Sequence, residues 1–254
     1  MKPPHAPRPR RRFKRSLAAR LGRFWVLGVL IAGALVWGGW AIAALPAFRL
    51  HELAVTGAHR VSRAEVVARA AIDPAGNVWL VDRAAVEKRI DGIPYVLAAH
   101  VHRRPPGTVW IEIEERTPSA CVHDGAGHEY LVDDALRVLA DVCTTEVYLT
   151  YDIKAAVDAS AGEFLRDPEL LALQNDARAL ADDGNRYRSF AHDAFGQLEA
   201  TLHDGIAVRF GDEDDLDRKQ RLIGPILAQL GSRADDVRTL DVRAPATPVV
   251  EYRH

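Results

Sequence analysis

The sequence has few of the residues, and none of the short motifs, that mark a catalytic or metal site. It contains two cysteines in 254 residues, and its ten histidines are scattered. No HExxH, GxSxG, SxxK or Cys-His signature occurs, and the acidic run at 212–215 matches no calcium-binding loop. These absences argue against a metalloprotease, a serine hydrolase or a calcium-binding protein. We expect no metal, no cofactor and no catalytic residue.

Two pairs of acidic residues leave one enzymatic alternative open. Asp133 with Asp134, or Glu112 with Glu114, would supply the two carboxylates of a glycosidase acting on cell wall. Carboxylates two residues apart on one strand are more commonly solvated charge. Histidines that share a strand or a hairpin, such as His100 with His102 and His123 with His128, are more commonly hydrogen-bonded surface groups than ligands.

The scarcity of cysteine limits the chain to one disulfide. Cys121 and Cys143 would close a loop of about 20 residues, and such a bridge is worth about 3 kcal/mol. The sequence does not establish how close the two residues come. Both the bridged and the free state therefore remain open at this point.

Acidic residues are absent from residues 1–23, which contain nine Lys or Arg and four Pro. A segment of this composition has little to bury, so we predict a disordered tail, and the positive-inside rule places it in the cytoplasm. An Arg-rich segment also suggests nucleic-acid binding. The rest of the chain has an excess of acidic residues, however, so we expect no nucleic-acid partner.

Long apolar runs are also rare, and the chain has one, at residues 24–45. At about 1.5 Å per residue, a helix of this length spans roughly 33 Å, enough to cross a bilayer. A cleaved signal ending near Ala41-Ile42-Ala43 is the main alternative, but its apolar region would be shorter. We predict a retained transmembrane helix in the cell (inner) membrane, with the N-terminus cytoplasmic and residues 46–254 extracytoplasmic.

The segment after the anchor predicts the element order strand, helix, helix, strand, strand. Ser62 with Glu65 forms a capping box that opens the first helix, and Asp82 caps the second. Two alternating stretches, 97–102 and 109–114, flank a Pro-Pro-Gly turn and predict a hairpin.

The remaining chain gives clearer signals at its two ends than in its middle. Hairpins are predicted around residues 128–139 and around Asp204-Gly205. Helices are predicted after Asp167 and after the acidic run at 212–215, where Pro225 is expected to kink or shift the first turn. Stretches 237–242 and 248–252 predict two final strands. No pattern is identified over residues 144–166.

These motifs, in this order after a single membrane helix, resemble the FtsQ (DivIB) family of bacterial cell division proteins. The similar segments are Val55-Thr56-Gly57, residues 101–111, residues 115–118, residues 128–139, residues 211–222 and residues 240–252. The resemblance implies an α+β fold: a POTRA domain (β-α-α-β-β) at 48–117, then a mixed or antiparallel bent β-sheet with two helices at 118–254. Leu136 stands where the family has glycine, so we expect a different turn there.

The resemblance also implies a function. It predicts a non-enzymatic bitopic scaffold of the divisome that binds FtsB-like and FtsL-like membrane proteins during septum formation, with an FtsB-like segment added to the last strand. Arg243 and Tyr252 match partner-contacting positions, whereas Ala244 replaces a common aromatic. The predicted partner-binding residues are Arg243, Thr247, Val249, Val250, Glu251 and Tyr252.

Two alternatives to this function concern binding modules. The final strand also fits an ordinary sheet edge blunted by Pro245, Pro248, Glu251 and Arg253. A POTRA protein of polypeptide export is a further alternative, although it would need more POTRA repeats or a long alternating barrel segment, and the sequence has neither.

Overall fold

The computed structural model describes residues 17–43, 45–143, 148–180, 187–212 and 214–253. These residues form two compact units. The first comprises the described residues up to Ala54 together with residues 72–81 and 103–109. The second comprises residues 55–71, 82–102 and the described residues from Trp110 onward. Residues 1–16 of the predicted tail lie outside the described residues, and the predicted domain boundary at 117/118 stays a prediction.

The first helix, α1, spans Leu17–Ala43. It includes residues 17–23, which were predicted to be disordered; these residues lack the prolines that interrupt residues 3–9. Large apolar side chains along α1 are exposed, among them Trp25, Leu30 and Trp37. Within the part of the chain that the structure describes, no helix combines the length and apolar character needed to cross a membrane. The predicted transmembrane helix is therefore not confirmed and stays a prediction.

The next five elements follow the predicted order of strand, helix, helix, strand, strand. Their bounds are β1 Glu52–Thr56, α2 Arg63–Ala70, α3 Arg83–Ile90, β2 Val96–Arg104 and β3 Thr108–Glu115, and the strands form a sheet in the order β1-β3-β2. The Ser62 hydroxyl accepts from the Glu65 N–H at 3.1 Å, and Asp82 accepts from the Ala85 N–H at 3.2 Å. Both predicted caps are confirmed.

The Glu-Arg pair at the end of β3 explains part of the motif there. The Glu115 carboxylate accepts the backbone N–H groups of residues 59, 60 and 61 at 2.8 to 3.0 Å, which closes the turn before α2. The Arg116 guanidinium donates to the Val96 carbonyl at 3.0 Å and to Asp133 at 2.6 Å. Arg116 and Asp133 are both nearly buried, so this ion pair fixes β3 to the strands that follow.

A nine-stranded mixed sheet follows. Its strands are β4 Pro118–His123, β5 Glu129–Asp133, β6 Val138–Ala140, β7 Leu149–Asp152, β8 Tyr187–His192, β9 Leu198–Leu202, β10 Ala207–Gly211, β11 Val237–Asp241 and β12 Val249–Tyr252. Their order in the sheet is β12-β11-β10-β9-β8-β7-β4-β5-β6. The pairs β4·β7, β7·β8 and β10·β11 are parallel and the other neighbours are antiparallel, so the predicted mixed sheet is confirmed.

Two helices accompany this sheet, as the resemblance implied: α4 Pro168–Ala179 and α5 Leu216–Leu230. Asp167 caps α4 by accepting from the Leu170 N–H at 3.1 Å. Leu170, Leu173 and Ile223 belong to the buried core of the sheet. Pro225 lies well inside α5 rather than in its first turn, because the helix already begins at Leu216, so the expected position was wrong.

Leu136 does not adopt the turn expected from the sequence. Its φ is 59°, in the left-handed region that favours glycine, and its side chain is 2% exposed. The Asp133 carboxylate accepts the N–H groups of Ala135 and Arg137, both at 2.9 Å, and thereby holds the turn. Burial of the leucine side chain therefore outweighs a local strain of about 1 kcal/mol.

Cys121 and Cys143 form a disulfide, and their α-carbons lie 5.9 Å apart. Cys121 is buried in β4 and Cys143 follows β6, so the bridge joins a central strand to the segment that leaves the far edge of the sheet. The alternative that the sequence left open is resolved in favour of the bridged state.

Candidate functional site

The last strand, β12, forms one edge of the nine-stranded sheet and pairs with β11 in antiparallel register. Val237 lies opposite Tyr252, Leu240 opposite Val250 and Asp241 opposite Val249. Among the described residues, no strand pairs with the other side of β12. An edge of this kind presents a row of backbone groups to another chain.

The hydrogen bond at the end of the ladder shows which backbone groups face outward. The Arg253 N–H donates to the Asp236 carbonyl at 2.7 Å. Val237 and Tyr252 are therefore a non-hydrogen-bonded pair, so the N–H and C=O groups of Tyr252 point away from β11. Because backbone direction alternates with a period of two along a strand, the N–H and C=O groups of Val250 point away from β11 as well. Pro248, which has no N–H to offer, occupies the preceding outward position.

The side chains of β12 differ in burial. Val250 packs against the core of the sheet, whereas Val249 is 55% exposed and Tyr252 is 40% exposed. Thr247, in the turn before the strand, is exposed, and its N–H donates to the Ala244 carbonyl at 3.0 Å. The edge therefore combines outward backbone groups with apolar side-chain surface.

Glu251 belongs to a row of charges that crosses four strands. Its carboxylate lies 3.7 Å from the Arg209 guanidinium on β10, and Arg209 also lies 3.6 Å from Glu199 on β9. Asp241 on β11 is the register partner of Arg209. The carboxylate of Glu251 is thus paired with Arg209 on the surface of its own sheet.

Arg243, predicted to contact a partner, lies just after β11 and is tightly paired with Asp241. Its Nε lies 3.0 Å from both carboxylate oxygens and its Nη2 lies 2.6 Å from one of them, while Nη1 donates to Gln197 at 3.3 Å. The Arg243 hydrogen bond holds the pKa of Asp241 below its usual range even though burial acts in the opposite direction. The same bond raises the pKa of Arg243.

The backbone of β10 makes room for this arginine. Gly211 has φ +81°, and a Cβ built there would lie 2.8 Å from the Arg243 Cγ. Glycine at the end of β10, where the register with β9 shifts, therefore permits the aliphatic part of Arg243 to lie against the backbone. Gly211 is the first residue of a segment that resembles the family. The close approach of Arg243 explains why glycine is needed at this position.

Five of the six predicted residues lie in β12 or in the turn before it, whereas Arg243 follows the neighbouring strand β11 and does not lie next to Tyr252. Tyr252 lies opposite the start of β11, and Arg243 follows its end. At about 3.3 Å per residue the two positions are roughly 20 Å apart, the length of a strand of about six residues. Sequence reasoning missed the residues that hold Arg243, namely Asp241, Gln197 and Gly211. For Asp241, the sequence did offer a signal, namely the Asp-x-Arg spacing between Asp241 and Arg243.

The residues of the enzymatic alternative are engaged elsewhere. Asp133 is 6% exposed and binds Arg116 and two backbone N–H groups, which leaves no access for a substrate. Glu112 lies 3.9 Å from His102 on the exposed face of the β2–β3 hairpin. Neither candidate pair lines the open pocket beside His128, whose acidic side chains are Glu129, Asp141 and Asp158.

The histidines do not cluster as the sequence allowed. His123 pairs with Asp152 at 3.0 Å, and His128 pairs with Asp124 at 3.0 Å, so the two do not meet across the hairpin. In the acidic run, Asp212 accepts from the buried Lys219 ammonium at 2.7 Å. Over the described residues, no group of three or more His, Cys, Asp or Glu side chains is arranged to hold a metal ion.

Comparisons with known proteins agree with the motifs. A family model described as "POTRA domain, FtsQ-type" matches residues 48–116. The chain is 30% identical to a protein of Myxococcus fulvus named "Cell division protein FtsQ", over 86% of this chain and 80% of the relative. Proteins of the same name from Mycobacterium tuberculosis (28% identity, 84% and 64% coverage) and Syntrophotalea carbinolica (26%, 89% and 81%) are also similar.

Proposed function

Since the chain belongs to the FtsQ family of bacterial cell division proteins, we propose that it is a non-enzymatic, single-pass scaffold of the divisome. The β12 edge is completed by an extended segment of an FtsB-like protein, in a complex that also contains an FtsL-like protein. Backbone hydrogen bonds supply affinity, and the side chains that flank the edge supply selection.

The observation that carries this proposal is the outward direction of the Val250 and Tyr252 backbone groups on a strand that pairs only with β11 among the described residues. An added strand would gain their hydrogen bonds without disturbing the β11–β12 ladder. The exposed side chains of Val249 and Tyr252 offer apolar contact at the same place.

The charged residues near the edge favour strand addition over blunting. An edge is protected when charges project beyond it. Here Glu251 is paired with Arg209, and Arg253 reaches back to the Asp204 carbonyl at 3.5 Å. Both charges are held along the sheet of their own chain, so they do not stand in the path of an approaching strand.

Two observations support an extracytoplasmic placement of the sheet. The disulfide between Cys121 and Cys143 is typical of an oxidising compartment such as the periplasm. The apolar side chains of α1 are exposed, and a lipid environment would cover them. The basic N-terminal segment sets the orientation with the N-terminus in the cytoplasm, and α1 serves as the anchor in the inner membrane. No observation on the described residues favours the cell-wall hydrolase or the export component.

The proposal is tested by measuring the affinity of the full chain for the extracytoplasmic segment of the FtsB-like protein from the same cell. Val250→Pro removes one outward N–H and keeps the inward ladder, so we expect at least a roughly tenfold loss of affinity, about 1.4 kcal/mol. Val250→Thr is the matched control, because it keeps the N–H and a β-branched side chain. Tyr252→Ala removes the exposed ring and should also weaken binding severalfold.

Binding that is unchanged in both Val250→Pro and Tyr252→Ala would exclude β12 as the partner site. Equal weakening by Val250→Pro and Val250→Thr would assign the effect to side-chain packing and would contradict strand addition. Circular dichroism of each variant checks that the fold is retained.

A further inference from the structure

A short apolar tip lies close to the chain that leaves α1. It consists of Trp79 and Leu80, in a 3₁₀ turn that spans Val78–Leu80. Leu80 is 78% exposed and Trp79 is 45% exposed, whereas Val78 is fully buried. We call Trp79 and Leu80 the Trp79–Leu80 tip. Two adjacent large apolar side chains held out from a folded unit call for a physical explanation.

Hydrogen bonds fix the loop that carries this tip to the segment just after α1. The Leu50 N–H donates to the Gly76 carbonyl at 2.9 Å, and Arg49 forms an isolated antiparallel bridge with Asn77. The Trp79 ring lies edge-on to Phe48, with ring centroids 6.1 Å apart. All of these residues belong to the first compact unit.

A second contact supports the loop on its other side. The Arg103 guanidinium donates to the Val81 carbonyl at 2.8 Å, directly after the tip. The Trp79 N–H donates to the Asn77 side chain at 2.8 Å, which fixes the start of the turn. The tip is therefore held by backbone and side-chain bonds on both flanks, so its exposure is a property of the folded unit.

Phe48 is five residues beyond Ala43, where α1 ends, so at no more than about 3.5 Å per residue it lies within roughly 18 Å of the helix end. The Phe48 N–H donates to the Leu45 carbonyl at 3.0 Å, and Pro46–Phe48 is a 3₁₀ turn. At about 2 Å of rise per residue, Phe48 lies roughly 6 Å beyond Leu45. The polar layer on each side of a bilayer is roughly 5 to 8 Å thick. A loop that contacts Phe48 is therefore tethered within reach of this layer whenever α1 ends at it.

We propose that the Trp79–Leu80 tip inserts into the headgroup layer of the outer leaflet beside α1 and forms a second contact of this chain with lipid. The inference rests on the membrane anchor proposed above. Trp is suited to the membrane interface because its ring is apolar and its N–H is polar, and Leu adds apolar area. Arg49 and Arg104, which are exposed in the same unit, complement anionic headgroups.

The lipid surface is the occupant that the geometry favours over a protein. The short covalent connection to α1 keeps the tip within reach of the bilayer, whereas nothing in the sequence ties a protein partner to this loop. The contact would attach the first unit to the membrane at two points, α1 and the Trp79–Leu80 tip, and would restrict the tilt of that unit relative to the membrane normal.

The test uses Trp79 as its own reporter. In the full chain, Trp25, Trp37, Trp40 and Trp110 are replaced by Phe, and the protein is reconstituted in vesicles of phosphatidylcholine and phosphatidylglycerol without other proteins. We expect blue-shifted Trp79 emission and at least about twofold stronger quenching by lipids spin-labelled near the headgroup than by lipids labelled near the bilayer centre. Aqueous acrylamide should quench it weakly.

Paired substitutions make the test specific. Leu80→Glu, at a side chain that is 78% exposed, should leave the fold intact and abolish the lipid quenching of Trp79. Leu97→Glu, on β2 at 46% exposure, is the matched control and should leave the quenching unchanged.

The outcomes separate this inference from the proposed function. If the chain floats with the vesicles but Trp79 emits as in water and is quenched by acrylamide alone, the tip does not contact lipid and the inference is wrong. If the chain does not float at all, the membrane anchor is wrong, and this inference is excluded together with it.

Discussion

Leu136 combines an unfavourable backbone conformation with a favourable buried position, and the two effects can be separated by substitution. Its φ of 59° costs a leucine about 1 kcal/mol, and glycine would relieve that cost. Removing a fully buried leucine side chain costs about 2 to 5 kcal/mol. We therefore expect Leu136→Gly to lower the free energy of unfolding by about 1 to 4 kcal/mol in chemical denaturation, although it restores the residue typical of the family.

Ala71 supplies the matched control for Leu136. Its φ is 47° at the C-terminal end of α2, and its side chain is exposed. Ala71→Gly therefore relieves backbone strain without opening a cavity, and we expect it to raise the stability by about 0.5 to 1 kcal/mol. A stabilising Leu136→Gly would show that core packing does not decide this position.

Asp124 makes the stability of the fold dependent on pH in the acidic range. Burial raises its pKa, but N–H groups of Val157 and His128 and the His128 ring donate to it and lower the pKa to about 2. A carboxyl whose pKa is lower in the folded state stabilises the fold above its unfolded value of 3.8. That contribution is lost as the pH falls from about 4 toward 2.

We expect Asp124→Asn to be less stable than the parent at neutral pH, with a smaller further loss between about pH 4 and pH 2. The measurement is urea denaturation across this range. Asp158→Asn, at an exposed neighbouring carboxyl, is the control. Parallel pH profiles for the parent and Asp124→Asn would contradict the assignment. The pKa of His128 is raised by Asp124, so its own contribution runs the other way and is lost as the pH rises through that raised pKa.

At the level of elements, the disulfide joins β4, in the interior of the sheet, to the segment after β6. Closing a loop of this length in the unfolded chain is worth about 3 kcal/mol. Replacing Cys121 and Cys143 together by Ala should lower the free energy of unfolding by about that amount. Adding a reductant should destabilise the parent and leave the double variant unchanged. An equal response of both proteins to reductant would show that the bridge does not stabilise the sheet.

Elements whose signals are local could be predicted from the sequence, and elements defined by long-range pairing could not. Ser62, Asp82 and Asp167 mark the starts of three helices because a cap acts within three residues. Strands β4, β7 and β8 were missed. They lie inside the sheet, and the buried residues of β4 and β7 lack the alternation of polar and apolar residues that identifies an exposed strand. Strand β8 is mostly half-buried or exposed, but its sequence, YRSFAH, does not alternate either.

The same contrast between local and long-range signals applies to the candidate site. The sequence predicted that residues 247–252 form an edge, because two strand signals end the chain and the family resemblance placed the partner there. It did not predict that Arg243 would be paired with Asp241 and held against Gly211, since those contacts depend on the register of β9, β10 and β11.

For the whole molecule, the proposed anchor α1 and the proposed partner edge β12 lie in distant parts of the chain. As a scaffold, the protein would act by holding an FtsB-like strand at a fixed place beyond the membrane. Depletion of the protein should therefore give filamentous cells, and a chain carrying Val250→Pro should fail to restore division, while Val250→Thr restores it. Light microscopy of complemented cells measures this, with immunoblots to show equal protein levels. Full rescue by Val250→Pro would show that cell division does not require strand addition at β12.

The most direct measurement is residue-resolved hydrogen exchange of the β12 amides, with and without the extracytoplasmic segment of the FtsB-like protein. The N–H groups of Val249 and Glu251 face β11 and should be protected in both states, whereas those of Val250 and Tyr252 should exchange fast in the free chain and become protected on binding. Fast exchange of Val250 and Tyr252 in the saturated complex, or protection of both in the free chain, would contradict completion of this edge by a partner.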